Sequence, residues 1–198
     1  MGDEANTREA VLEPTSTEKA VMYRSRYRTG VEGQRNCLGS FAFILGHKEE
    51  ATFTLFGTHL DTGEKLAAMD AFQENWTGTP PNDPAPAVRS LTSSANGVST
   101  APGATHEVHA MVDGRGPLTY VWKLATDRSS RTVSGVVADN VPSEIVGQWM
   151  TGVPRLEFTV PDQPDAYRMY LFVTDTQRKA NTANFPFRAS PIATGPKK

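Results

Sequence analysis

Hydrophobic and polar positions change their rhythm once along this chain. From Ala20 to Tyr27 the apolar residues Ala20, Tyr23 and Tyr27 recur at helical spacing, with Arg24 and Arg28 on another face. Thr15 followed by Glu18 fits a capping box, and Gly30 supplies a stop. This predicts a first helix ending at Gly30, with the Tyr and Arg stripe read as packing beside a solvated face. Residues 1–13 are polar and aperiodic and predict a loose terminus. Leu38 to Leu45, LGSFAFIL, is a short apolar run bounded by glycines. It predicts a strand buried on both faces, as in a parallel sheet under helices. A second short strand is expected at Phe53 to Phe56. After the turn LDTGEK, Leu66, Met69, Phe72 and Trp76 return at helical spacing and predict a second helix.

The stretch Trp76 to Pro86, WTGTPPNDPAP, interrupts this pattern with four prolines and a glycine in eleven residues. Proline removes a backbone donor and biases its predecessor away from the helical region, so neither a helix nor a central strand continues through it. Beyond it the period changes to two. Leu118, Tyr120, Trp122 and Leu124 share one face, and Tyr167 to Val173, YRMYLFV, is the strongest strand signal in the chain. Further strands are expected at Val88 to Leu91, His106 to Val112, Leu156 to Val160 and Asn184 to Arg188. About seven short strands separated by turns read as an immunoglobulin-like β-sandwich. Trp122 is its expected core tryptophan, and Tyr167, after the turn PDQPDA, is placed to anchor a corner by hydrogen bonding. The expected class is α+β, mainly β. The expected divisions are a truncated α/β segment over 1–79, a stiff Pro-rich hinge over 80–87, the sandwich over 88–190 and a tail over 191–198. The first segment is too short to close a sheet of its own, so the hinge should hold it against the sandwich, with Trp76 pinned into the junction.

Composition narrows the function classes. A formal charge of −2 lacks the basic footprint of a nucleic-acid binder. No apolar run approaches the roughly eighteen residues of a membrane span, and MGDEANTREA is neither a signal nor a transit peptide, so the chain as written is expected in the cytoplasm. Cys37 stands alone, which excludes an intrachain disulfide and suggests a buried structural thiol.

Three stretches carry a family resemblance. TSTEKAVMYRSRY (15–27), CLGSFAFILGHKEEATFTLFG (37–57) and FQENWTGTPPNDPAP (72–86) resemble the end of the catalytic barrel of certain bacterial glycoside hydrolases. GPLTYVWKL, AYRMYLFVTD and NTANFPFR resemble the immunoglobulin-like module that follows that barrel, and PKD and fibronectin-type sandwiches in general. The resemblance implies a barrel-end segment plus its C-terminal module, from a family that includes secreted members. It carries over no catalytic residue. A (β/α)₈ barrel takes about 200 residues or more, and the two carboxylates such hydrolases use come from earlier strands that nothing here matches. Ile44 and Leu55 also stand where the family pattern implies sugar-facing aromatics.

Candidate chemistry is sparse. His47, Glu49, Glu50, His59 and Asp61 crowd one expected loop beyond the apolar run, where α/β folds place their ligands. His47, Glu50 and His59 are the candidate acid–base groups there, although their spacing matches no defined motif. Solvated, salt-bridged loop residues are the plainer reading. His106 and His109 lie three apart in a strand and face opposite sides, which disfavours a shared metal. Asp113, Asp127 and Asp175 near strand ends leave a divalent metal such as calcium open, against a default of turn capping. No cofactor is expected. Trp149 is the candidate exposed platform for a substrate ring. There is no GxSxG, P-loop or GxGxxG.

Three functions follow from the sequence. The first is a non-catalytic module descended from a glycoside hydrolase that binds carbohydrate or protein. The alternative is a small hydrolase acting on a glycoside, ester or lactone through His47–Asp61. The third is structural: burial of LGSFAFIL either on the sandwich or in a homo-oligomer.

Overall fold

The computed structural model describes residues 10–129 and 142–190, together with two short strands between these spans. Its elements are α1 (Ser16–Gly30), β1 (His47–Glu50), β2 (Thr52–Gly57), β3 (Lys65–Leu66), α2 (Ala67–Thr77), β4 (Ala87–Ser93), β5 (Ser99–Thr100), β6 (Thr105–Asp113), β7 (Leu118–Thr126), β8 (Thr132–Val133), β9 (Val136–Val137), β10 (Ile145–Thr151), β11 (Arg155–Thr159), β12 (Asp165–Asp175) and β13 (Lys179–Ala189). The chain is α+β and mainly β.

Two sheets face each other. The larger has the order β10-β7-β12-β13-β3, with β5 also paired to β13; the smaller is β11-β6-β4. The alternating side chains of the second half meet between them, as the period-two pattern requires. Trp122, Leu124, Met169, Leu171, Val108 and Phe185 are buried in one cluster. Tyr167 donates its hydroxyl to the Gln163 carbonyl at 2.9 Å, closing the corner before β12 as its position suggested.

What distinguishes this sandwich is the outer face of the larger sheet. Strands β12 and β13 are buried on both faces. Arg168, Tyr170 and Phe172 point away from the inner core, and the first half of the chain covers them. Phe53 lies against Tyr170 with ring centroids 5.0 Å apart. The Ser16 and Thr182 hydroxyls are 2.7 Å apart, and the Asn181 amide donates to Thr17 Oγ1 and to the Pro86 carbonyl.

The first helix starts where the capping box placed it, with the Thr15 hydroxyl accepting from the Glu18 amide and the Glu18 carboxylate accepting from the Thr15 amide. Its Arg24 and Arg28 both reach Glu74 on α2. The Pro-rich stretch runs along the surface and is fastened there. Asp70 accepts from the Ala85 amide at 2.6 Å, and Arg115 donates to the Asn82 carbonyl.

Three expectations fail. Residues 38–45 form no strand: Leu38, Phe41, Phe43 and Leu45 are exposed, and among the described residues no strand pairs with them. Glycine-bounded apolar runs signal burial only when a sheet surrounds them. The expected loop at His47 is instead a hairpin, β1 with β2, turning at Ala51 in a left-handed conformation (φ 61°). The terminus is not loose up to residue 13, since Val11 and Glu13 are bonded into the sheet face. Among the described residues, no helix is long and apolar enough to cross a membrane.

Candidate functional site

The polar centre of the molecule lies under the first half. Arg168, fully buried, donates to Asp127 Oδ2 at 2.8 Å, to Asn184 Oδ1 at 2.6 Å and to the Val11 carbonyl at 2.8 Å. Asn184 passes the network on, donating to Glu13 Oε2 at 2.8 Å. Glu13 also accepts from Thr52 Oγ1, Thr54 Oγ1 and Lys19 Nζ. A carboxylate with this many donors is committed to holding the hairpin, α1 and β13 together. Asp70 is likewise occupied by Lys179 and the Ala85 amide. Burial raises the Tyr170 phenol far above its ordinary value; the charges of Asp127 and Glu13 add to this, while Arg168 and the Phe53 amide oppose it. Burial also raises Tyr120 and Tyr167. These groups have the chemistry of a buried brace.

The sequence candidates do not converge. His47 Nε2 is 3.0 Å from the Phe53 carbonyl across the hairpin. Glu50 is paired with Lys48. His59 Nδ1 is 2.9 Å from Thr58 Oγ1. His47 does share a shallow hollow of about 110 Å³ with Glu49, Asp61, Lys123 and Phe172, but Glu50 and His59 do not line it. His106 is held by Ser94 and Thr100, and His109 pairs with Glu107 on the surface. Asp175 caps the Gln177 and Lys179 amides, Asp113 pairs with Arg89, and Asp127 belongs to Arg168. Among the described residues, no three His, Cys, Asp or Glu side chains gather as a metal set. Trp149 is half-buried against the sandwich core and lies over Gly147. Trp76 is 57% exposed at the end of α2, with one ring face stacked on Phe72 at 5.3 Å; it marks the surface rather than the junction.

A second concavity was not singled out from the sequence. Between α1, α2 and residues 40–42 lies an open groove of about 150 Å³, lined by Tyr23, Arg26, Tyr27, Phe41, Asn75 and Trp76. Helical spacing places Tyr23 and Tyr27 on one side, and the end of α2 supplies Asn75 and Trp76 on the other. Tyr23 and Phe72 pack edge to face with ring centroids 4.8 Å apart, which stiffens the floor. Five aromatic rings, Phe72 in the floor included, a guanidinium and a carboxamide therefore converge on one open groove. The helical spacing of Tyr23 and Tyr27 was the available signal; Arg26, the partner helix α2 and the exposed Phe41 became visible only in three dimensions.

No family model and no curated protein matches the chain. Solved structures similar to parts of it include carbohydrate-binding modules of the β-sandwich superfamily, at 18% identity over 58% of this chain and 38% of that one, TM-score 0.40. The rat CD45 extracellular region, domains d3–d4, aligns at 8% identity over 52% of this chain and 48% of its own, TM-score 0.35. The PKD1 domain of Vibrio anguillarum Epp aligns at 12% identity over 56% of this chain and all of its own, TM-score 0.34. The chain thus spans less than half the length of the first two.

Proposed function

We propose that this chain is a non-catalytic binding module, descended from the end of a glycoside hydrolase barrel and its appended sandwich, that takes a carbohydrate in the groove between α1 and α2. One observation carries the reading: Tyr23, Tyr27, Phe41 and Trp76 converge with Arg26 and Asn75 on an open concavity. Aromatic faces cover the apolar C–H faces of sugar rings, and a few polar groups fix their orientation. The buried carboxylates Glu13, Asp70 and Asp127 are meanwhile occupied by structural donors, which supports binding over hydrolysis.

The test is affinity electrophoresis and calorimetry against a panel of soluble polysaccharides. Retardation by at least one polymer is expected, and Trp76→Ala should weaken it by about tenfold, the scale of a lost aromatic contact. Binding unchanged in Trp76→Ala would remove the groove as the site. The hydrolytic alternative draws on the hollow shared by His47, Glu49, Asp61 and Lys123. If turnover of a glycoside, ester or lactone is found, His47→Ala and Glu49→Ala should abolish it without unfolding the protein; unchanged turnover rejects that site.

A further inference from the structure

We propose that Leu38–Leu45 is a self-pairing strand through which two copies of this chain associate about a two-fold axis near Ala42. The segment has two unmet capacities at once. Leu38, Phe41, Phe43 and Leu45 are 108, 102, 70 and 79% exposed. Among the described residues, its backbone from 38 to 45 makes no backbone–backbone hydrogen bond; the Gly39 carbonyl accepts from Cys37 Sγ at 3.4 Å. A stretch of unpaired donors and acceptors carrying large apolar side chains is a template for another strand.

The occupant follows from pattern, area and charge. Residues 38–45 carry no charge, so nothing in the segment repels a copy of itself. A phenylalanine covered at an interface buries roughly 150–250 Å². With its two leucines the segment therefore offers on the order of 600 Å² per copy, close to the about 800 Å² per partner of a stable complex. Among its exposed flanking charges, Arg35 precedes it, while Glu49 follows beside Lys48, whose ammonium is already paired with Glu50. Antiparallel pairing centred on Ala42 sets Phe41 of one copy opposite Phe43 of the other and brings Arg35 towards Glu49 of the other copy, twice. The axis falls on the smallest side chain of the central stretch, so the two backbones can approach. Because the contact is isologous, it closes at two copies.

Sedimentation velocity of the full chain over a broad concentration series, without carbohydrate, tests this independently of the ligand reading. The expected result is a monomer–dimer equilibrium. Leu45→Glu should weaken it by about tenfold or more, as the loss of a buried anchor does. Arg35→Glu, at an exposed turn away from any apolar contact, should weaken it as well, and Arg35→Glu combined with Glu49→Arg should restore it. Far-UV circular dichroism of each variant should match the parent. A monomer at every concentration, a ladder of larger masses, or a dimer indifferent to both single substitutions would overturn the proposal.

Discussion

Glu13 and Asn184, 171 positions apart, meet at 2.8 Å beneath the β1–β2 hairpin. The Glu13 side chain is only 1% exposed, and its other acceptor positions serve Thr52, Thr54 and Lys19. This single carboxylate joins the start of the described chain, the hairpin, the first helix and the last strand. Glu13→Ala would leave several buried donors without an acceptor. It is expected to destabilise the protein by about 3 kcal/mol or more, measured by urea unfolding. A loss below about 0.5 kcal/mol, the level of an ordinary surface change, would show that the hairpin and sandwich are not coupled through it.

The Tyr170 phenol predicts an alkaline limit. Its folded pKa is raised above the ordinary 10.0, chiefly by burial. Below pH 10 both the folded and unfolded states keep the proton, so stability from this group is fully present. Above it the unfolded state releases the proton while the folded state retains it, and stability falls as pH rises, by about 1.4 kcal/mol per pH unit for one such group. Tyr170→Phe should flatten that decline while leaving the neutral side of the profile near its original shape. Unfolding midpoints between pH 8 and 11 measure it, and parallel curves for parent and variant would contradict it.

Gly147 is needed for the Trp149 ring. A Cβ built there would sit 2.4 Å from Trp149 Cη2. Gly147→Ala should therefore displace the indole and cost about 1–3 kcal/mol as an overpacking strain. Because the two residues share one contact, the cost of Gly147→Ala in a Trp149→Leu background should be well below its cost in the parent. Thermal unfolding of the four proteins closes this cycle, and simple additivity would refute the contact.

The corner at Tyr167 gives a smaller expectation. Tyr167→Phe removes the bond from its hydroxyl to the Gln163 carbonyl. The expected loss is about 1 kcal/mol, the net worth of one such hydrogen bond, seen in the same unfolding assay. A neutral substitution would mean that packing alone holds the corner.

Local and periodic features were legible in the sequence. The Thr15–Glu18 box needs only four consecutive residues, so the start of α1 was readable. The alternation through Leu118 to Leu124 and Tyr167 to Val173 set the inner face of the sandwich, with Trp122 in its core and Tyr167 at its corner, because a strand's period is intrinsic to its backbone. The proline stretch marked the change of period for the same local reason. What only the tertiary structure decided was what each surface meets. LGSFAFIL has the composition of a buried strand, yet burial is a property of neighbours, and among the described residues no strand pairs with it. Arg168 sits in YRMYLFV where alternation alone would turn it to water; residues 11–19 and the hairpin cover it instead, with Val11 accepting from it directly and Glu13 reached through Asn184 of β13. The groove likewise joins Tyr23, Phe41 and Trp76 across more than fifty positions. Such long-range meetings depend on the packing of whole elements, which no window of sequence contains.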